Sequence, residues 1–415
     1  MSKLDELIKE YCPNGVEYRK LCEVSDMQRG TSLTKAKAVE GDIPVISGGK
    51  EPAFYCNCSN RDGETITVAG SGAGAGYVQY WNIPIFANDC FTVKGSEFTE
   101  TKYLYYFMTS IQDKISDAKK GGGVPHVHIS DVENFSLPVP PLEVQREIVH
   151  ILDSFTLLTA ELTAELTARK KQYEYYRDKL FSHDEKYPMK SLAELGKWSG
   201  GKTPSMSEKS FWEQGTVPWV SSKDMKSSTL EDTQDHITEK AVKEASMTVY
   251  PVNSIAVVTR SGILKHTFPV AYIPFETTIN QDIKMLVVNE DILPRYAFHV
   301  IQGKGNDILV KTKKQGGTVD SLDFQKVLAY KVPVPSKDIQ SKLVEVLDNF
   351  ESICTDLNIG LPAEIEARQK QYEYYRDLLL TFAETGSTLL TDRQTDRQTD
   401  RQTDRQTDRQ TDRQN

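Results

Sequence analysis

A glycine- and lysine-containing segment matches the phosphate-binding pattern G-x-x-x-x-G-K-T letter for letter: Gly196-Lys-Trp-Ser-Gly-Gly-Lys-Thr203. In nucleotide-binding proteins this loop follows a strand and opens a helix whose N–H groups hold the phosphates. Here the preceding run, 190–195, indicates a short helix or turn, and Pro204 follows Thr203 directly. We therefore expect an accidental match. A nucleotide-dependent or nuclease-like enzyme that uses this loop remains the catalytic alternative.

Two further patterns could hold a cofactor or a metal ion. Gly70-Ser-Gly-Ala-Gly-Ala-Gly76 resembles half of a dinucleotide fingerprint, but the residues after it continue as a strand, which favours a glycine-rich hairpin. Cys56 and Cys58, like His126 and His128, have the spacing of a ligand pair, yet neither pair has a second pair at metal-site spacing. We predict no metal site, and no Ser/His/Asp or Cys/His constellation indicates a catalytic centre.

Basic and hydroxyl side chains recur in polar, glycine-rich loops of both halves of the chain. Lysine, arginine and hydroxyl groups suit phosphate contacts, and arginine, lysine, asparagine and glutamine can read base edges. Residues 186–342 carry 21 lysines and arginines against 17 aspartates and glutamates, so a basic surface is compatible with a chain of net charge −9. For each single residue a solvated loop is the alternative, and the prediction of DNA contact depends on the parallel placement in both halves. The candidates are Arg29, Thr31, Lys50, Ser71, Lys119, Lys120, Lys202, Thr203, Ser222, Lys223, Arg260, Lys265, His266, Lys311, Lys313 and Lys314.

Two globular regions must position these loops. Residues 1–140 contain short β-rich runs separated by glycine, asparagine and aspartate, which predicts a mixed α/β (α+β) region. Residues 186–335 repeat this arrangement approximately. Gly41-Asp-Ile-Pro44 in the first region corresponds to Gly215-Thr-Val-Pro218 in the second. We expect two regions that share a fold and differ in surface.

The strongest pattern is a duplicated helical signature. Ala168-Arg-Lys-Lys-Gln-Tyr-Glu-Tyr-Tyr-Arg-Asp-Lys-Leu180 returns as Ala367-Arg-Gln-Lys-Gln-Tyr-Glu-Tyr-Tyr-Arg-Asp-Leu-Leu379, an offset of 199 residues. Upstream, Pro138-Val-Pro140 returns as Pro333-Val-Pro335, an offset of 195. The same offset of 195 relates Gln145, Asp153 and Phe155 to Gln340, Asp348 and Phe350. A repeat of this kind indicates one scaffold that presents two different readers.

Apolar residues around both copies recur at three- and four-residue steps, which predicts two long amphipathic helices. We expect the two stripes to meet as a coiled-coil spacer, because each is too long for one small domain to cover. The alternative is that each stripe packs only on its own globular region. The stripe residues that we assign to the spacer and to partner docking are Leu152, Phe155, Leu158, Leu162, Leu166, Tyr173, Tyr176, Leu347, Phe350, Leu357, Tyr372 and Tyr375.

The inserts within the two helical stretches differ. Twelve residues separate Phe155 from Ala168 and include Thr159-Ala-Glu-Leu-Thr-Ala-Glu-Leu166, which has no helix breaker. Sixteen separate Phe350 from Ala367 and include Gly360 and Pro362. Because proline removes a donor and clashes with the preceding turn, we expect the first helix to run through and the second to break or kink.

Residues 391–414 are six copies of Thr-Asp-Arg-Gln. The tract lacks apolar residues and its charges cancel, which predicts disorder. A tetranucleotide repeat such as ACAG, read in triplets, encodes this unit. We therefore hypothesise that the DNA tract slips and that a change in copy number shifts the reading frame. Sequencing the gene from many colonies should reveal several copy numbers, and an invariant or non-repetitive tract would end the hypothesis.

Composition gives few further constraints. No apolar run approaches the roughly 18 residues of a membrane span, and the N-terminus has no apolar signal core, so we expect a cytoplasmic protein. The six cysteines form no regular framework, which is typical of a reducing compartment.

The duplicated pattern resembles the conserved regions of type I restriction-modification specificity subunits, and the Thr-Ala-Glu-Leu repeats resemble the branch called type IC. The resemblance covers residues 1 to about 385, and only the Thr-Asp-Arg-Gln tail departs from it. It implies two target recognition domains held apart by antiparallel helices, with a pseudo-twofold internal repeat. The corresponding segments are a first recognition domain at 1–141, a central helical spacer at 142–185, a second recognition domain at 186–336, a C-terminal helical spacer at 337–385 and a disordered tail at 386–415.

The resemblance also implies partners. Each domain would read one half of a split, asymmetric sequence in double-stranded DNA. Two modification subunits would methylate adenine with S-adenosylmethionine, and restriction subunits would add translocation and cleavage driven by ATP and requiring Mg²⁺. This chain itself would bind no cofactor and catalyse no reaction. A non-catalytic protein tether that binds no DNA is the remaining alternative.

Overall fold

The computed structural model describes residues 2–121, 123–182, 187–314, 319–356 and 358–385. The predicted disordered tail and Leu357 lie outside these residues. The chain forms two compact units, of which the first contains the chain up to Leu162 and from Ile365 onward, and the second contains Thr163–Glu364. Both boundaries fall inside helical stretches, so the two predicted spacers are divided between the units.

The first unit begins with a short helix and continues as strands followed by helices. Its elements up to the long helix are α1 (Lys3–Tyr11), β1 (Tyr18–Lys20), α2 (Leu21–Val24), β2 (Ser25–Arg29), β3 (Ile43–Ile46), β4 (Phe54–Cys56), β5 (Thr65–Ala69), β6 (Val78–Trp81), β7 (Phe86–Ala87), β8 (Cys90–Gly95), α3 (Thr101–Ser110), α4 (Gln112–Asp117), α5 (Ile129–Val132), β9 (Ser136–Pro138) and α6 (Leu142–Ser182).

The remaining elements build the second unit, except that the residues of the last helix from Ile365 onward belong to the first. They are β10 (Met189–Ser191), β11 (Gly196–Gly200), β12 (Val217–Val220), β13 (Asp235–Ile237), α7 (Glu239–Glu244), β14 (Ser254–Val258), β15 (Val270–Ile273), β16 (Thr278–Ile279), β17 (Ile283–Val288), α8 (Pro294–Gly303), α9 (Gly305–Thr312), α10 (Phe324–Ala329), β18 (Lys331–Pro333), α11 (Lys337–Thr355) and α12 (Leu361–Thr385).

The two units share one strand topology. An antiparallel four-stranded sheet has the order β2-β8-β5-β6 in the first unit and β11-β17-β14-β15 in the second. A three-stranded sheet, β4-β3-β7 or β13-β12-β16, contains one parallel pair, and a two-stranded sheet joins β1 to β9 or β10 to β18. The predicted α/β (α+β) content and the common plan of the two regions are confirmed.

Each unit has its own hydrophobic core around an inner strand of the four-stranded sheet. All five residues of β5 and all five of β14 are buried. Their apolar side chains pack with the buried faces of α3 and α8, respectively. Because these strands are buried, their ends are fixed. The candidate DNA-binding loops that follow them therefore start from fixed positions.

The two helical stretches differ as predicted. Helix α6 runs without interruption for 41 residues through both Thr-Ala-Glu-Leu units. The second stretch breaks between α11 and α12, but the break begins at Asp356, before Gly360, because the Asp356 carboxylate accepts the N–H groups of Asn358 and Ile359 at 2.7 and 3.1 Å. A Cβ on Gly360 would lie 2.6 Å from the Asp356 carbonyl oxygen. In the described ranges no helix is both long and apolar enough to cross a membrane.

Candidate nucleic-acid interface

The duplicated glutamine performs the same task in both units. The Gln145 side chain accepts the N–H of Glu100, just before α3, and donates to the Pro140 carbonyl at 2.7 Å. The Gln340 side chain accepts the N–H of the residue before α8 and donates to the Pro335 carbonyl at 2.9 Å. Both glutamines are fully buried. The Pro-Val-Pro…Gln signature therefore joins the long helix to the helix that covers the sheet.

The two copies of the signature contact each other within each unit. In the first unit the ring of Phe155 stacks on that of Tyr375, with centroids 5.3 Å apart. In the second unit Phe350 and Tyr176 form the equivalent pair at 6.4 Å. The offsets of 195 and 199 thus relate one aromatic pair to the other. The alternative in which each stripe packs only on its own globular region is wrong for these residues.

The tyrosine-rich blocks also enter the globular cores. Tyr173 belongs to the core of the second unit together with Phe181, and Tyr372 packs against the core of the first unit, with its ring 6.4 Å from that of Tyr106. Leu180, the last residue of the first copy of the signature, is 37% exposed, and the neighbouring Phe181 is buried instead. Of the other stripe residues, Leu152 and Leu347 are buried, while Leu158, Leu162 and Leu166 are half-buried.

A partly buried ionic network that the sequence did not reveal stabilises the second unit. The Arg295 guanidinium contacts Asp348 at 2.5 Å and Glu351 at 2.6 Å, and His299 Nε2 lies 2.6 Å from the same Asp348 oxygen. Tyr173 contacts His299 Nδ1 through its hydroxyl at 3.3 Å. In the part of the chain that the structure describes, His299, Asp348 and Glu351 are the one set with the spacing of metal ligands. Arg295 already supplies a cation to both carboxylates, so we interpret the set as an ionic network.

The first unit carries a simpler version of this network at the equivalent positions. Lys102 pairs with Asp153 at 2.8 Å, and the Tyr106 hydroxyl donates to the same carboxylate. The offset of 195 relates Asp153 to Asp348 and Thr156 to Glu351, so only the second unit has the second carboxylate. The duplicated scaffold is therefore held by different chemistry in its two halves.

The candidate DNA-binding loops meet at one end of each four-stranded sheet. Because β2 and β5 run antiparallel to β8, the ends of β2 and β5 lie beside the start of β8, and β11, β14 and β17 have the same arrangement. We call this region the strand-end surface. It comprises residues 29–31, 70–71, 88–89, 119–121 and 123–128 in the first unit, and residues 200–203, 259–266, 280–282, 313–314 and 319–323 in the second.

The two units hold the backbone of this surface by equivalent hydrogen bonds. Thr31 donates its N–H to the Ala87 carbonyl at 2.9 Å, as Lys202 does to Ile279 at 3.0 Å. The preceding residue must be glycine, because a Cβ on Gly201 would lie 1.9 Å from the Ile279 carbonyl oxygen. The glycine of the apparent nucleotide motif therefore serves strand packing.

The first unit gathers Arg29, Thr31, Ser71, Lys119 and Lys120 at its strand-end surface. The Ser71 hydroxyl donates to Asp89, and Lys120 pairs with Asp131. The Lys50 ammonium lies 5.0 Å from the Tyr77 ring centroid.

A small cavity of about 170 Å³ opens on the same surface of the first unit. It is lined in part by Arg29, Asp89, His126 and His128, and the two imidazole rings stack with centroids 6.0 Å apart. The spacing of these histidines in the sequence indicates only a ligand pair, and nothing in the sequence singles out Asp89. Burial raises the pKa of the cavity-lining Cys90 thiol to about 12, which disfavours the reactive thiolate form at neutral pH.

The second unit gathers most of its candidates at the equivalent place. Lys202, Thr203, Arg260, Lys265, His266, Lys313 and Lys314 lie on its strand-end surface. Lys223 instead pairs with Asp235 beside the three-stranded sheet, and Lys311 pairs with Asp307 on its own helix. Ser222 precedes Lys223, so it shares that location.

The nucleotide-loop alternative has no matching geometry. Residues Gly196–Gly200 form strand β11 and pair along their full length with β17, so they cannot close around a phosphate. The Lys202 ammonium donates to the Ser246 carbonyl at 3.1 Å. The glycine-rich run at 70–76 joins the paired strands β5 and β6, so the predicted hairpin is confirmed.

Comparisons with known proteins agree on one family. A sequence profile described as the type I restriction modification DNA specificity domain matches residues 13–169 and 184–367. The chain is 40% identical over 403 residues to the EcoR124I/EcoR124II specificity subunit of Escherichia coli, covering 92% of this chain and 98% of that one.

Two solved structures share the fold. An S subunit from M. genitalium is 19% identical, with a TM-score of 0.53 over 89% of this chain and 96% of that chain. A chain from a type I restriction-modification system, studied for its complex assembly and conformational transition, is 15% identical, with a TM-score of 0.59 over 89% and 98%.

Proposed function

Because this chain belongs to the family of type I restriction-modification specificity subunits, we propose that each unit reads one half of a bipartite, asymmetric sequence in double-stranded DNA through its strand-end surface. The observation that supports the proposal is that both units place loops at equivalent strand ends, and that these loops carry different side chains. Family members are non-catalytic subunits that recognise the target. Assignment to the type IC branch stays a prediction.

Duplicated scaffolds suit a split target. Two tandem copies can adopt a pseudo-twofold arrangement, as a homodimer does on a palindrome, while their reading surfaces diverge. Because Ala69 pairs with the first residue of β8 as Val258 pairs with the first residue of β17, Ser71 and Arg260 occupy the same register position. The two surfaces therefore offer different hydrogen-bonding groups to base edges. Different side chains at equivalent positions of the two units support an asymmetric target.

We further propose that the helical stretches act as an antiparallel spacer and dock two methyltransferase subunits. Tyr175 and Tyr374, related by the offset of 199, remain 60% and 45% exposed. Aromatic side chains are enriched in protein interfaces, so two equivalent exposed tyrosines suit two equivalent partners. S-adenosylmethionine, ATP and Mg²⁺ then belong to the partner subunits, and restriction subunits complete the assembly.

The spacer length should set the distance between the half-sites. One Thr-Ala-Glu-Leu unit lengthens a helix by roughly 6 Å and turns it by about 400°, a net rotation of about 40°. One base pair advances DNA by about 3.4 Å and rotates it by about 34°. The net rotation matches that of one base pair well, and the translation matches it only approximately. Inserting a third unit after Leu166 should therefore lengthen the gap in the target by about one base pair and leave both half-sites unchanged.

Mapping methylated adenines in cells that carry the wild-type or the extended subunit with its modification subunits measures this directly. Replacing Thr163-Ala-Glu-Leu166 by four alanines is the matched control, because it keeps the helix length and should keep the gap. An unchanged gap after insertion would contradict the spacer role. A complex that binds no duplex would favour the protein-tether alternative.

A further inference from the structure

Arg260 follows the inner strand β14 directly and lies at the centre of the second strand-end surface. Its backbone is held from both sides. The N–H groups of Thr259 and Arg260 donate to the Asp282 carbonyl at 2.8 and 3.3 Å, and the N–H of Ser261 donates to the Asp320 carbonyl at 3.0 Å. This backbone is therefore rigid, and the side chain is the group that Arg260 presents outward.

The Arg260 side chain is exposed and, among the described residues, forms no ion pair. An exposed guanidinium without an acidic partner keeps all five of its donors for a ligand.

The Lys313 side chain connects the two loops that lie on either side of Arg260. Its ammonium donates to the Leu264 carbonyl at 3.2 Å and pairs with Asp320 at 3.0 Å. Lys313, a candidate for DNA contact from the sequence, is therefore a positioning residue. Lys265 and Lys314 are exposed on these two loops. They add positive charge of the kind that contacts phosphates to the same surface.

The first unit carries a different side chain at the equivalent strand end. Gly70 donates its N–H to the Asp89 carbonyl at 3.0 Å, as Thr259 does to Asp282. The next residue is Ser71, whose hydroxyl is already bound to the Asp89 carboxylate. The equivalent position therefore carries, in one unit, a guanidinium that forms no ion pair with any residue the structure describes, and in the other a hydroxyl that is already hydrogen-bonded. This is the difference expected of a residue that determines specificity.

We propose that Arg260 reads a guanine in the half-site of the second unit by donating two hydrogen bonds to its O6 and N7 atoms in the major groove. The proposal rests on the proposed function of the strand-end surface. Arginine to guanine is the commonest specific contact between a side chain and a base. A side chain on a rigid strand end is placed with the accuracy that base reading requires, whereas phosphate contacts tolerate flexible loops.

The test compares the intact complex of this chain and its modification subunits carrying wild-type Arg260, Arg260→Gln or Arg260→Lys. Methylation mapping and competition binding to duplexes that differ at one base pair provide the readouts. We expect Arg260→Gln to weaken binding of the cognate duplex roughly 5- to 150-fold. It should also relax discrimination at one G·C pair of one half-site. Arg260→Lys should retain part of the preference, because lysine donates from a single point.

Lys331→Gln is the control, since it removes one exposed positive charge from β18, outside the strand-end surface, and should leave both half-sites intact. A uniform loss of affinity for all sequences, or unchanged discrimination, would overturn the proposal, as would a wild-type second half-site without a G·C pair. If the wild-type complex recognises no bipartite target, the proposed function itself fails. If the wild-type complex recognises a bipartite target but Arg260→Gln leaves discrimination unchanged, the proposed function stands and the role of Arg260 fails.

Discussion

Replacing Arg295 with alanine should destabilise the second unit by about 3–5 kcal/mol, the usual cost of leaving buried charges without their partner. The guanidinium lies between Asp348 and Glu351, and the Glu351 side chain is only 8% exposed. Without Arg295, two carboxylates face each other in a partly desolvated place. For a unit of this size the loss corresponds to a fall in melting temperature of about 6–20 °C, measurable by calorimetry or urea unfolding of the purified subunit.

Lys102→Ala is the matched control for Arg295→Ala. Lys102 occupies the equivalent position in the first unit, but it pairs with a single carboxylate, and both side chains are about one-third exposed. Solvent weakens such a pair, so we expect a loss of about 1 kcal/mol or less. Equal losses from the two variants would show that the second carboxylate does not matter.

The effect of Arg295→Ala should depend on pH. Burial by itself would raise the pKa of Asp348, but hydrogen bonds from His299 and Arg295 outweigh burial and hold that pKa below its ordinary value. A carboxyl with a lowered pKa in the folded state contributes stability above its unfolded pKa, about 3.9, and loses it as pH falls through the folded pKa. The difference in stability between wild type and variant should therefore shrink below about pH 4.

Tyr173→Ala should cost about 3–5 kcal/mol, as large-to-small changes of buried aromatic residues do. Tyr173 is 9% exposed in the core of the second unit, and its hydroxyl contacts His299 and Gln302 at 3.3 and 3.4 Å. Because Tyr173 belongs to α6, the variant weakens the packing of this helix on the second globular region. Urea unfolding measures the loss, and recognition of the second half-site should fall with it.

Tyr175→Ala is the control for Tyr173→Ala, because it removes a tyrosine ring from the same helix without removing a buried contact. Tyr175 lies two residues away in the same block and is 60% exposed, so we expect a change within about 0.5 kcal/mol. Tyr173→Phe keeps the ring and removes only the hydroxyl, and it should retain most of the stability. Equal destabilisation by Tyr173→Ala and Tyr175→Ala would contradict the packing described for α6.

Much of the architecture was predictable because it depends on local chemistry. The absence of a breaker predicts the continuous α6, and Gly360 with Pro362 predicts the break before α12. Two runs of similar sequence predict two units of similar topology. The strand-end surface was only partly predictable. Repetition of basic loops indicated Arg260 and Lys202, but Lys223 and Lys311 occupy loops and helices of the same composition that lie elsewhere.

The amino-acid sequence by itself determined that the chain is duplicated and carries two long helical stretches, since repeats and periodicity are recorded in residue order. Only the tertiary structure decided which residues of each pattern are buried and which stay exposed. Tyr173, Tyr176 and Leu180 share one helical spacing, yet Tyr173 is buried and the other two are 44% and 37% exposed. Periodicity defines a face of a helix, whereas burial and ionic partners such as Arg295 with Glu351 depend on segments distant in the chain.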